Sequence, residues 1–169
     1  MKNIVLTGFM GTGKTTIGNE LAKRLHVRLV DIDEEIEKSL KISINDIFSI
    51  YGEQHFRDLE TAMIKKLARD KNIIISTGGG AVLRDENMKA LQENGIIFCL
   101  NASAETILER TSNSEDRPLL KVENPKEKIN ELLAYRRPFY EKAGIMIETD
   151  GKPPLEIAQE IEEIMKWKK

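Results

Sequence analysis

Cysteine occurs once in these 169 residues, at Cys99, so the chain can close no internal disulfide and offers no multi-cysteine metal site. That scarcity points to a reducing, cytoplasmic setting. Histidine is almost as rare: His26 and His55 lack partners at metal-ligand spacing. Neither sign of charge is in excess, with 26 Lys and Arg against 28 Asp and Glu and a formal net charge of −2, so nothing global draws the chain to nucleic acid or to an anionic membrane. Any anion it binds must meet local positive charge. The apolar run Ile4 to Leu6 ends at Gly8, too short for a signal-peptide core or a membrane span. No Pro/Gly/Ser linker, internal repeat or low-complexity tract divides the sequence. One domain over residues 1–169 is expected, 40% hydrophobic and large enough to bury roughly two thirds of its unfolded surface.

What is present alternates between two periods. Short β-branched runs, Ile4 to Leu6, Arg28 to Val30, Ile73 to Ile75, Ile96 to Leu100 and Ile145 to Ile147, read as strands buried on both faces, hence a parallel sheet. Between them the apolar spacing becomes helical, as in Ile17, Leu21 and Leu25, and again in Ile157, Ile161 and Ile164. Ser43 with Asp46 three residues on predicts a helix start before Ile47, and Pro153-Pro154 predicts another. Strands alternating with helices predict an α/β fold: a three-layer α/β/α sandwich around a five-stranded parallel sheet. Cys99, inside Ile96 to Leu100, reads as a small buried hydrophobe. The basic terminus from Lys166 to Lys169 reads as charge complementing a helix end.

Directly after the first strand comes Gly8-Phe9-Met10-Gly11-Thr12-Gly13-Lys14-Thr15, the full pattern of a phosphate-binding loop, followed at once by a helical stripe. The glycines let backbone N–H groups curl around a phosphate at a helix N-terminus, Lys14 reaches the β/γ-phosphates, and Thr15 can ligate Mg²⁺. The second strand ends in Asp31-Ile32-Asp33, two carboxylates on the same side of an extended chain. Two readings stand open. Either the pair caps a helix, or one acid supports Mg²⁺ through water while the other orients an attacking hydroxyl. The third strand runs into Ser76-Thr77-Gly78-Gly79-Gly80, either a plain turn or a backbone surface meeting a second substrate. The polar stretch 113–125, with Arg117 in Asp116-Arg117-Pro118-Leu119-Leu120, reads as an ordinary connection or as a flap over the site. Arg57, Arg110 and Arg136 are cations in search of a role. Two arginines converging on one pocket would grip a carboxylate, but periodicity alone cannot bring them together.

Taken together, these segments resemble the shikimate kinase family: Gly8 to Thr16, the Asp31 and Asp33 pair, Phe56-Arg57-x-x-Glu60, the triple glycine from Gly78, Asp116-Arg117-Pro-Leu-Leu and Arg136-x-Pro-x-Tyr140, in the family's order over nearly the whole chain. The resemblance implies a P-loop kinase fold of the nucleoside-monophosphate-kinase type, with a substrate-binding helical region over about 33–60 and a lid over about 113–125. It implies transfer of the γ-phosphate of ATP to the 3-hydroxyl of shikimate, in aromatic amino-acid biosynthesis. Gly11, Thr12, Gly13, Lys14, Thr15 and Thr16 would cradle the ATP phosphates, with Thr15 and Asp31 serving Mg²⁺. Asp33 would orient the acceptor hydroxyl. Arg57 and Arg136 would hold the shikimate carboxylate, helped by Gly78, Gly79 and Gly80, with Glu60 holding Arg57. Lys14, Asp33 and Arg117 would be catalytic; Arg117 would also reach ATP, and Arg110 and Lys152 would flank the adenine. The neighbouring Arg137 competes with Arg136, and the spacing to Pro138 favours Arg136. Shikimate and ATP would be the only partners of a monomer that engages neither nucleic acid nor membrane. The alternatives are a P-loop kinase of another small hydroxylated acceptor, such as gluconate or a nucleoside monophosphate, and a non-catalytic ATP-binding module.

Overall fold

A computed structural model describes residues 1–112 and 122–168. Five strands, β1 (Asn3–Gly8), β2 (Leu29–Asp31), β3 (Ile74–Ser76), β4 (Gly95–Asn101) and β5 (Ile145–Glu148), pair in parallel in the order β2-β3-β1-β4-β5. Seven helices lie among the described residues: α1 (Lys14–Leu25), α2 (Ile32–Leu40), α3 (Ile44–Leu67), α4 (Asp85–Asn94), α5 (Ala104–Thr111), α6 (Pro125–Ala143) and α7 (Pro154–Trp167). The expected five-stranded parallel sheet between helical layers is the architecture formed. Its cause is visible in β1. Ile4 and Leu6 join a cluster with Ile17, Leu21 and Ile161 on one face, whereas Val5 joins Ile64, Leu91 and Tyr140 on the other. Successive side chains of a strand point to opposite faces, so a continuous apolar run feeds two cores at once.

Local chemistry starts and stops the helices that matter here. Ser43 Oγ accepts the Asp46 N–H at 3.1 Å and caps α3 where the sequence predicted. Within α3 the helix is interrupted at Gly52, whose φ of 84° lies in the left-handed region that glycine tolerates best. Phe48, before the break, stacks on Phe56, after it, with ring centroids 4.7 Å apart. One expectation is corrected. β2 stops at Asp31 rather than running through Asp33, because Asp31 Oδ1 accepts the N–H groups of Asp33 (3.0 Å) and Glu34 (3.3 Å) and so begins α2. Asp33 therefore projects from the first turn of a helix, not from an extended edge.

The order of the strands sets where ligands can go. The loops after β1, β2 and β3 all leave the same carboxyl edge, and parallel sheets bind ligands just outside that edge. No helix among the described residues is long and apolar enough to cross a membrane.

Candidate active site

A cleft of about 810 Å³ opens at this edge. One end is formed by the turn between β1 and α1. Gly13 precedes α1 with φ 94°, and no side chain caps the helix, so its first N–H groups face the cleft without a side-chain partner. Lys14 Nζ donates to the carbonyls of Gly8 (2.7 Å) and Phe9 (3.0 Å), which folds the lysine back along its own loop. Gly11, Gly13, Lys14, Thr15 and Thr16 all line the cleft. Thr12 does not: it is fully buried, its Oγ1 donates to the Phe9 carbonyl at 2.8 Å, and its N–H turns to that same carbonyl. Its contribution is to close the turn.

Asp31 and Asp33 meet the cleft on its second side. Asp31 serves as the helix cap described above, so the two readings of this pair are not exclusive; both capping bonds fall on Oδ1. Asp33 is pushed up to about 7, first by burial and then by the negative charges of Asp31 and Glu60, against the pull of Lys14 and Arg57. A carboxyl group poised there exists in both protonation states at neutral pH.

The far end holds the cations. Arg57 Nη1 donates to Glu60 Oε2 at 2.8 Å, and the Glu60 side chain is wholly buried. Burial pushes the Glu60 carboxyl up, opposed by Arg57. Arg84 Nη1 reaches the Arg57 carbonyl (3.1 Å), Asp58 (2.9 Å) and Thr61 (3.2 Å), tying this turn of α3 to the segment after the triple glycine. Gly80 lies so close to the Arg57 guanidinium that a Cβ there would collide with it. Arg136 enters from α6 and lies over the Phe9 ring, 5.4 Å from its centroid. The next residue, Arg137, is exposed and paired with Glu141 at 2.7 Å, so helix phase separates the two arginines.

Arg57, Arg136, Gly78, Gly79, Gly80 and Arg110 thus share one cleft with the loop and both aspartates. Arg110 is held by the Gly11 carbonyl (3.3 Å) and by Thr149. Lys152 is not brought in; its Nζ pairs with Glu160 at 2.7 Å outside the lining. Arg117 lies outside the described residues, as does most of the expected lid. Sequence reading missed three contributors. Ile44 and Phe48 give the cleft an apolar wall, and the stripe they belong to also carries fully buried Ile47, so spacing could not tell wall from core. Arg84 is 27 residues from the backbone it anchors, and no local pattern announces it.

Known proteins share the sequence and the fold. A family model described as shikimate kinase matches residues 10–166. A shikimate kinase of Thermodesulfovibrio yellowstonii is 55% identical over 161 residues, spanning 95% of this chain and 93% of its own. One from Caldanaerobacter subterraneus is 48% identical, spanning 95% of this chain and 94% of its own. Among solved structures, the shikimate kinase from Acinetobacter baumannii in complex with shikimate superposes with a TM-score of 0.94 at 38% identity, covering 100% of this chain and 95% of that one. With the fold, the cleft and these relatives in agreement, the chain belongs to the shikimate kinase family.

Proposed function

We propose that the chain transfers the γ-phosphoryl group of ATP to the 3-hydroxyl of shikimate, giving shikimate 3-phosphate and ADP, with the roles divided along the cleft as follows. The N–H groups at the start of α1, with Gly11, Gly13 and Thr16, hold the phosphates, and Lys14 exchanges its carbonyl partners for phosphate oxygens. Asp33 orients the acceptor hydroxyl and receives its proton, a role suited to a carboxyl group poised near 7. Arg57 and Arg136 hold the acceptor's carboxylate, while Gly78, Gly79 and Gly80 let the backbone approach it. Arg110 flanks the adenine, and Arg117 adds positive charge as the phosphoryl group moves.

Thr15 and Asp31 are the residues that would hold Mg²⁺. They fit it: both line the cleft with oxygen donors beside the loop, and Asp31 spends only Oδ1 on its two capping bonds. Mg²⁺ keeps several waters and leans on substrate phosphates, so two oxygen donors suffice. When bound, it neutralises charge on the phosphates. A monomer working in the cytoplasm, with no nucleic-acid or membrane partner, suits the balanced charge of the chain.

The observation that carries this reading is the convergence of Arg57, Arg136 and Asp33 on a cleft whose other end is a phosphate loop. Two cations beside a carboxyl group suit an acidic, hydroxylated acceptor better than a neutral sugar. The test is ADP release from ATP and Mg²⁺ with shikimate, gluconate, nucleoside monophosphates or no acceptor. Release that depends on shikimate is expected. Release with another acceptor alone would discard the carboxylate clamp, and none with any would favour a non-catalytic nucleotide binder.

A further inference from the structure

Tyr140 is buried beneath the acceptor end, and its hydroxyl lies between two groups of the cleft. It donates to the Gly79 carbonyl at 2.7 Å, and it flanks that glycine together with Arg136 Nη1, the two lying 3.4 Å and 3.2 Å from where a Cβ on Gly79 would stand. Burial pushes the phenol up to about 12, so it stays a donor throughout the neutral range. Arg136 and Tyr140 are four apart on α6 and share one face of it, which puts the hydroxyl between the arginine and the triple glycine.

Both groups have consequences in the cleft. The Gly79–Gly80 peptide is trans, so a carbonyl turned toward Tyr140 sends the Gly80 N–H the opposite way, away from α6. Gly79 itself is wedged: a Cβ there would lie 2.9 Å from the Gly8 carbonyl and 3.2 Å from Arg136 Nη1. That Gly8 carbonyl is one of the two holding Lys14. Arg136 Nε is buried with no hydrogen-bond partner among the described residues, and the guanidinium lies over the Phe9 ring and beside Gly79, where the Tyr140 hydroxyl also lies.

We propose that the Tyr140 hydroxyl is a positioning group for the acceptor: it holds the Arg136 guanidinium and the Gly79–Gly80 peptide in one fixed relation, so that the carboxylate of the acceptor meets both in register. This rests on the reading of Arg136 as a carboxylate ligand given above. Tyr140 touches neither reacting atom. It acts through Arg136 and Gly79, and its effect belongs to acceptor binding rather than to phosphate binding.

Tyr140→Phe keeps the ring and removes only the hydroxyl. The expected result is a KM for shikimate raised about tenfold, the scale of one buried hydrogen bond, with kcat and the KM for ATP within about twofold of the unaltered protein. Incorporating 4-aminophenylalanine at position 140 restores a neutral donor and should return the shikimate KM to within about threefold. A lower thermal midpoint with unchanged kinetic constants would overturn the proposal, as would equal rises in both KM values, since either marks a purely structural tyrosine. Should the Phe variant not fold, the 4-aminophenylalanine protein decides: a shikimate KM near that of the unaltered chain supports the role, and a tenfold loss overturns it. Absence of shikimate-dependent ADP release in the unaltered protein would overturn the acceptor reading and this inference with it, whereas the variant results can overturn Tyr140 alone.

Discussion

The two ends of the cleft treat their polar side chains, Lys14 and Thr12 at one and Asp33, Glu60 and Arg136 at the other, in opposite ways. At the phosphate end the loop supplies its own partners: Lys14 is bonded to the Gly8 and Phe9 carbonyls, and Thr12 to Phe9. At the acceptor end Asp33 Oδ1, Glu60 Oε1 and Arg136 Nε are buried with no hydrogen-bond partner among the described residues. A Cβ on Gly78 would sit 3.0 Å from Glu60 Oε1 and 3.6 Å from Asp33 Oδ1, so these two oxygens flank the same glycine. The difference teaches how one cleft handles two demands. Phosphate is the same group in every nucleotide, and a loop whose geometry is set internally can serve it. An acceptor must be told from its analogues, and buried groups left without partners do that, because a molecule that fails to satisfy them costs about 1 to 3 kcal/mol for each.

The contrast breaks most visibly at Asp33. Asp33→Asn should lower kcat by about 10³-fold while leaving ATP affinity within about twofold. The unaltered protein should show kcat/KM rising with pH through a limb near 7 in the free enzyme, because only the ionised carboxylate accepts a proton, and the limb should vanish in the variant. Stability must run the other way. Asp33 holds its proton more tightly folded than unfolded, so between the ordinary value of 3.8 and about 7 the folded state binds the extra proton. The thermal midpoint of the ligand-free protein should therefore lose a contribution as pH rises through that window, and Asp33→Asn should remove it. A profile with no limb near 7, or equal turnover in the variant, would take Asp33 out of its role.

Next in size is the clamp. Truncating one partner of a buried charge pair costs about 2 to 5 kcal/mol. Because the Arg57 side chain keeps 16% of its exposure, the lower figure applies there, some thirtyfold in kcat/KM for shikimate on Arg57→Ala. Arg136→Ala should cost at least as much. Steady-state kinetics varying each substrate separately would check both, and an effect falling on ATP instead would erase the distinction between the two ends. The smallest effect sharpens it. Arg137→Ala removes an exposed, solvent-screened pair with Glu141 and should leave every constant within about twofold and the thermal midpoint unchanged.

How much of this was legible in the sequence varied with distance along the chain. The loop from Gly8 to Thr15 is contiguous, and its chemistry follows from neighbours alone. The three inner strands β1, β3 and β4 were legible because each is a short apolar run buried on both faces, and the edge strands β2 and β5, only partly buried, by their apolar runs alone. Asp33 lines the cleft, but its setting differs from the extended chain expected: a strand end and a capped helix are told apart by where Asp31 Oδ1 finds its donors. The choice of Arg136 over Arg137 rested on one residue of helix phase, which the cleft lining and the Arg137–Glu141 pair now separate. Arg84 and the Tyr140 bond to Gly79 could not be read at all, since their partners are 27 and 61 residues away.

The break at Gly52 carries a last implication. Before it, α3 contributes Ile44 and Phe48, a greasy wall; after it come Arg57 and Glu60, bolted to the sheet side through Arg84. With φ at 84° and no atom within 4 Å of where a Cβ would stand, Gly52 interrupts the ladder of helical hydrogen bonds at a point where nothing crowds the chain. Both halves are anchored, the first through fully buried Ile47 and the Ile44 N–H bonded to Glu37 Oε1 at 2.8 Å, so the break redirects the chain between two fixed pieces. The Phe48–Phe56 stack is the tie across this break, and the Arg57 guanidinium lies over the Phe56 ring, so a substitution at Phe48 is felt on the charged side through one aromatic contact.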